Sequence, residues 1–94
     1  MERNMVRERL VFSGWVQGVG FRWSACRAAG TCGLTGWVRN ETGGSVACEV
    51  QGSPAAIEMF IRTMTLERDG DLDWMDRTEI PAVEGETGFR IRYG

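Results

Sequence analysis

Leu34-Thr35-Gly36-Trp37-Val38-Arg39-Asn40-Glu41-Thr42-Gly43-Gly44-Ser45-Val46-Ala47-Cys48-Glu49-Val50-Gln51 carries the clearest periodicity in the chain. Leu34, Val38 and Asn40 share one parity, with Trp37 and Arg39 on the other. Further on, Val46, Cys48 and Val50 alternate with Ala47, Glu49 and Gln51. Period-two alternation over runs of this length marks half-buried strands. Thr42-Gly43-Gly44 supplies the positive-φ residues of a hairpin turn between them. The pattern predicts a strand over 35–40 and a returning strand with Val46, Cys48 and Val50 inward and Ala47, Glu49 and Gln51 outward. Cys48 on the inward stripe reads as an inert buried thiol.

Upstream of the hairpin, Phe21, Ala25, Ala28, Ala29 and Cys32 recur at helical spacing, and Gly30 and Gly33 stand where a C-terminal stop belongs. Before that helix, Leu10 and Phe12 alternate with Arg9, Val11 and Ser13, predicting a strand that ends at Gly14. Downstream, Ser53-Pro54 is an N-cap followed by proline at the first helical position. Ile57, Phe60, Ile61 and Met64 then repeat at i, i+3, i+4 and i+7. Residues 66–76 read as an acidic, loop-like connection. Thr78 to Val83 reads as a short strand that Pro81 restricts to an edge. Phe89, Ile91 and Tyr93 alternate with Arg90 and Arg92 in a last strand. The order is β-α-β-β-α-β, an α+β, ferredoxin-like βαββαβ sandwich with an antiparallel sheet and two helices on one face. One domain over 1–94 is expected, with residues 1–6 as a flexible N-terminal extension.

Composition narrows the chemistry. All 11 basic residues are arginine, and the chain has neither lysine nor histidine. Ser–His and Cys–His pairs, Schiff-base lysines, the P-loop lysine and histidine metal ligands are therefore excluded. Cys26, Cys32 and Cys48 are odd in number and lack CxxC spacing, so they read as free thiols in a reducing cytoplasm rather than as a zinc site. The disulfide alternatives are 26–48 and 32–48. The N-terminus is too charged for a signal peptide and no apolar run reaches membrane-spanning length, so a cytoplasmic location and no membrane partner are expected. Residues 1–40 hold six arginines against Glu2 and Glu8, a charge of +4, whereas residues 41–94 carry −6. This asymmetry suits an anion site in the first half and is too small for a nucleic-acid footprint.

The predicted topology makes strands one and two parallel, with a right-handed crossover through helix one. It thereby brings the Gly14–Gly20 loop, Arg22 in the first turn of helix one and Asn40 at the end of strand two to one edge. A glycine-rich strand-to-helix loop presents backbone N–H groups, and the helix start adds partial positive charge. Arg22 alone is unfavourable at that end of the dipole, and an anion lying between them reverses the penalty. Gly18-x-Gly20 lacks the third glycine of a dinucleotide fingerprint, and Walker A fails without lysine. By spacing alone, a structural loop beside a surface arginine remains an open alternative.

Val16-Gln17-Gly18-Val19-Gly20-Phe21-Arg22, followed by Gly33-Leu34-Thr35-Gly36-Trp37-Val38-Arg39-Asn40, resembles the two signature segments of the acylphosphatase family. The closing Phe89-Arg90-Ile91-Arg92-Tyr93 also resembles that family's C-terminal strand, so the likeness spans roughly residues 6–93. Gly43 stands where an aspartate often precedes the hairpin glycine, and Trp15 occupies a variable position. The resemblance implies hydrolysis of small acyl phosphates to a carboxylate and inorganic phosphate, without metal or organic cofactor. It places the phosphate in the loop formed by Trp15, Val16, Gln17, Gly18, Val19 and Gly20 and against Arg22, with Asn40 positioning the attacking water. Inorganic phosphate or sulfate is the expected bound anion, and a monomer the expected state. The remaining five arginines of the first half read as solvated surface.

Two other classes share the topology. One is a carbamoyl-phosphate-handling relative of the acylphosphatase-like domain in hydrogenase maturation, which comparing turnover of carbamoyl phosphate and simple acyl phosphates would distinguish. A non-catalytic binding module such as an RNA-recognition motif would present aromatics on the open sheet face, where this chain is expected to place Ala47, Glu49, Gln51, Val11 and Ser13. Asp69-Gly70-Asp71-Leu72-Asp73 has the start of a calcium loop, but Trp74 and Ile80 occupy the positions that need glycine and glutamate.

Overall fold

The computed structural model describes residues 5–93. Its elements run β1 Val6–Gly14, α1 Val19–Cys32, β2 Thr35–Asn40, β3 Val46–Gly52, α2 Pro54–Glu67, β4 Leu72–Ile80 and β5 Phe89–Arg92. They form one five-stranded sheet of order β4-β1-β3-β2-β5. β3 lies between β1 and β2 and is antiparallel to both, so β1 and β2 are parallel to each other, as the crossover requires.

The sheet is mixed rather than antiparallel, because β5 pairs with β2 in parallel. The acidic segment also departs from expectation. α2 ends at Glu67, a turn follows, and residues 72–80 form a nine-residue edge strand along β1 in place of the short strand over Thr78–Val83. Pro81 ends this strand instead of sitting inside it, since proline cannot continue a ladder. An edge strand leaves Asp73, Asp76 and Glu79 exposed, while Leu72 and Met75 pack against the core. Of the expected extension at 1–6, residues 1–4 lie outside the described residues, and Val6 opens β1.

Local signals account for the helices. Gly33 takes φ 71° after α1, and Gly33 N–H and Leu34 N–H donate to Gly30 O and Ala29 O, the paired bonds of a Schellman stop. Ser53 Oγ accepts from Ala56 N–H at 3.1 Å and Pro54 occupies the first turn of α2. Leu10, Phe12, Val46, Cys48 and Val50 from the sheet bury completely against Ile57, Phe60 and Met64 of α2 and Ala25 and Ala29 of α1. Each large side chain so buried contributes about 1.5–3 kcal/mol. Phe12 and Phe21 meet edge to face at 5.3 Å, which ties β1 to the first turn of α1 on either side of the loop between them. The three cysteines are free thiols, and burial pushes the Cys48 thiol well above its ordinary range, reinforced by Cys26.

The opposite sheet face is covered over β3 rather than open throughout. Ala47 and Gln51, expected outward, are buried. Gln51 is closed over by the 81–88 segment: its amide oxygen accepts from Val83 N–H and its NH2 donates to Val83 O, both at 2.8 Å. Arg7, expected on the solvated surface, is only 2% exposed and donates to Glu49 at 2.8 Å and to Glu86 at 2.7 Å. Trp37 lies on this face beneath Arg9, Arg39 and Arg92, whose guanidinium carbons sit 4.8–5.9 Å from its ring.

Candidate active site

The loop between β1 and α1 begins at a close approach. Gly14 has φ 124°, and a Cβ there would run into the carbonyl of Asp71. Next to it, Trp15 N–H donates to Asp71 O at 2.8 Å while the indole stands 87% exposed. Val16 is buried in the core and offers the site only its backbone. Gln17 turns its side chain toward the β2–β3 hairpin, where Nε2 donates to Glu41 O at 2.6 Å and Ser45 O at 3.0 Å. Gly18 is the N-cap of α1 at φ 144°, with no side-chain cap, and the first turn from Val19 through Gly20 to Arg22 carries no acidic residue. The leading N–H groups of a helix have no intrahelical partner. Among the described residues no side chain caps them, and they stand at the positive end of the dipole.

Strand register brings the remaining residues to the same end of the sheet. Phe12 and Asn40 both pair with Val46, so the β1 exit and the β2 exit share one row. Arg39 pairs with Arg92, which puts Tyr93 just beyond the same edge. The Arg22 guanidinium lies 5.1 Å from the Tyr93 ring. Among the described residues no carboxylate pairs with Arg22, whereas Arg7, Arg9, Arg39 and Arg77 are all engaged by acids. Arg22 Nε and Asn40 Oδ1 are both buried without a hydrogen-bond partner. Leaving such groups unmet costs about 1–3 kcal/mol each, more for a charged one. Two of them beside open N–H groups mark a place shaped for a polar guest. A cleft of about 260 Å³ opens alongside, lined by Gly14, Trp15, Val16, Gln17 and Gly44, none of them charged.

All eight residues singled out from the sequence thus lie on or beside one loop and one strand end. Three participants escaped sequence reading: Tyr93, Asp71 and Arg68. Arg68 Nη2 donates to Gly20 O at 2.5 Å and to Ser24 Oγ at 2.7 Å from the end of α2. Only the topology makes these neighbours, since Arg68 stands 48 residues from Gly20 in the chain. Among the described residues no group of three or more acids and cysteines is arranged to hold a metal ion, and no helix is long and apolar enough to cross a membrane.

The α+β sandwich thus carries at one end of its sheet an uncapped helix start, an arginine that no described carboxylate pairs, and an orphaned amide oxygen. Comparison with known proteins supplies the assignment. The acylphosphatase family model matches residues 8–91. An acylphosphatase of Thermococcus kodakarensis is 48% identical over 88 residues, covering 92% of this chain and 94% of that protein. The crystal structure of acylphosphatase from Bacillus subtilis superposes with a TM-score of 0.85 at 30% identity, covering 94% of this chain and 99% of that one. Full-length HypF, in its phosphate- and nucleotide-bound form, superposes with a TM-score of 0.80 at 28% identity, with 98% of this chain matching 12% of that much longer one. The chain belongs to the acylphosphatase family, whose members hydrolyse acyl phosphates.

Proposed function

We propose that the phosphate of a small acyl phosphate sits on the N–H groups of the 15–20 loop and against Arg22, and that Asn40 orients the water that attacks phosphorus. The observation that carries this reading is the pair of buried, unpartnered polar atoms, Arg22 Nε and Asn40 Oδ1, beside an uncapped helix start. Arginine supplies a permanent charge and a planar fork that matches two phosphate oxygens. Asparagine cannot act as a base, but its carbonyl oxygen accepts a hydrogen bond from water and its NH2 donates one.

In the reaction the water oxygen bonds to phosphorus while the bond from phosphorus to the acyl oxygen breaks, its electron pair leaving on the carboxylate. Both protons of the water end on the phosphate, so an acyl phosphate dianion gives a carboxylate and H2PO4−. A carboxylate with a pKa near ~4 leaves without a general acid, which suits a chain lacking histidine. Phosphoryl transfer demands chiefly positioning and charge stabilisation, and arginine with backbone amides provides both. The acyl group extends into the uncharged cleft beside Trp15 and Gln17.

The deciding experiment is phosphate release from acetyl and benzoyl phosphate in the presence of EDTA. Turnover that survives the chelator supports the reading, and turnover that requires added metal refutes it. The likeness to HypF favours one second reading, in which carbamoyl phosphate is the preferred substrate; comparing its kcat/KM with that of acetyl phosphate separates the two. A nucleic-acid role fits poorly, because Trp37 is 5% exposed beneath three arginines and Glu49 shares its face. Free thiols at Cys26, Cys32 and Cys48 support a cytoplasmic enzyme.

A further inference from the structure

The loop from Trp15 to Gly20 is held at both ends by a single turn of chain. At its start, Trp15 N–H is bonded to the Asp71 carbonyl. At its end, Gly20 O receives Arg68 Nη2 at 2.5 Å, and the same nitrogen reaches Ser24 Oγ, one helical turn further on, at 2.7 Å. Asp71 N–H and Leu72 N–H bond back to the Arg68 carbonyl at 2.9 and 3.2 Å, so both anchors belong to one closed unit.

Arg68 is placed against its own electrostatic interest. Asp69, Asp71 and Asp73 follow it in sequence, yet among the described residues no carboxylate pairs with it. Instead its guanidinium passes beneath the first turn of α1, 5.7 Å from the Phe21 ring, with Nε buried and unpartnered. A cation there opposes the helix dipole just as Arg22 does. An anion on the far side of the loop offsets both costs at once.

We infer that Arg68 is a positioning residue for the bound phosphate: it fixes the Gly20 carbonyl so that the loop N–H groups converge, and it adds a second fixed positive charge behind them. The inference rests on the phosphate-loop reading above. A mere cross-link between α1 and α2 would affect melting temperature and leave anion affinity alone.

The test uses the whole protein, titrated with inorganic phosphate by calorimetry and assayed with acetyl phosphate. Arg68→Ala is expected to weaken phosphate binding about tenfold and raise KM in parallel, with kcat within about twofold, the signature of lost binding common to ground and transition states. Arg68→Lys keeps the charge and one donor to Gly20 O and is expected to recover about half of that loss on a logarithmic scale. A folded Arg68→Ala with wild-type phosphate affinity and KM overturns the inference, whatever its melting temperature. Should that variant not fold, Arg68→Lys with unchanged affinity overturns it equally. Arg22→Ala serves as the control. Phosphate binding that survives in Arg22→Ala means the phosphate-loop reading itself has failed, whereas loss there with none at Arg68 rejects only the role of Arg68.

Discussion

The guanidinium carbon of Arg22 lies 5.1 Å from the centre of the Tyr93 ring, joining the first turn of α1 to the end of the last strand. The ring restricts where the fork can point, and a contact of this kind at a partly exposed site contributes about 0.5–1 kcal/mol. Tyr93→Ala is therefore expected to raise KM for acyl phosphates about two- to fivefold. Tyr93→Phe keeps the ring and should behave as wild type. A large loss in the phenylalanine variant would show that the hydroxyl, not the ring, does the work.

Arg22 itself has no substitute within the site. Arg22→Ala should lower kcat/KM by ~10³ or more, on the scale seen for arginine fingers, and remove phosphate inhibition. Arg22→Lys should also fail badly, because a point charge does not span two oxygens. Steady-state assays on both variants decide the matter: near-normal hydrolysis by Arg22→Ala would sink the assignment.

Asn40 separates binding from chemistry. Its buried, unmet Oδ1 is directed to water rather than to the anion in the proposed reaction. For Asn40→Ala, kcat should collapse while competitive inhibition by phosphate persists at close to the wild-type constant. Lost inhibition with kcat unchanged would refute water positioning.

The far face of the sheet responds to pH. A hydrogen bond from Arg7 holds the Glu86 carboxyl below the usual carboxylate range, against a smaller opposing effect of burial, with Thr35 and Arg92 adding to the lowering. In the unfolded chain a glutamate titrates near ~4.3. The stabilisation is thus complete above that value and is lost as pH falls through the lower folded one. Glu86→Gln should be less stable than wild type in urea denaturation at pH 7, with the gap closing below about pH 4. Arg7→Ala, which leaves Glu49, Glu86 and Gln51 without their shared donor, should cost about 3 kcal/mol. A Glu86→Gln deficit that persists undiminished at pH 3 would rule out the ionic origin.

The central hairpin, both helices and their stops were legible because each is fixed by neighbours in sequence: alternating parity from Val46 to Gln51, glycine at 43 and 44, the Ser53-Pro54 start. The shared location of the candidate-site residues was legible for the same reason, since the loop, Arg22 and Asn40 terminate elements whose order fixes where they meet. What escaped depends on contacts distant in sequence. The direction of β5 against β2 leaves no periodic trace, and the alternation of β4 is obscured where Trp74 and Met75 stand side by side among acids. The burial of Arg7 depends on Glu86, 79 residues away, and the hold of Arg68 on Gly20 leaves no local pattern.

β4 has β1 on one side and, among the described residues, no strand on the other. Its open margin presents a row of backbone donors and acceptors, the kind of margin through which sheets of separate molecules join. Asp73 and Asp76 lie exposed along it, with Asp69 and Asp71 just before. Two copies approaching rim to rim would bring these carboxylates together, and the repulsion discourages fibrous association. The negative half of the sequence thus guards the sheet's vulnerable border.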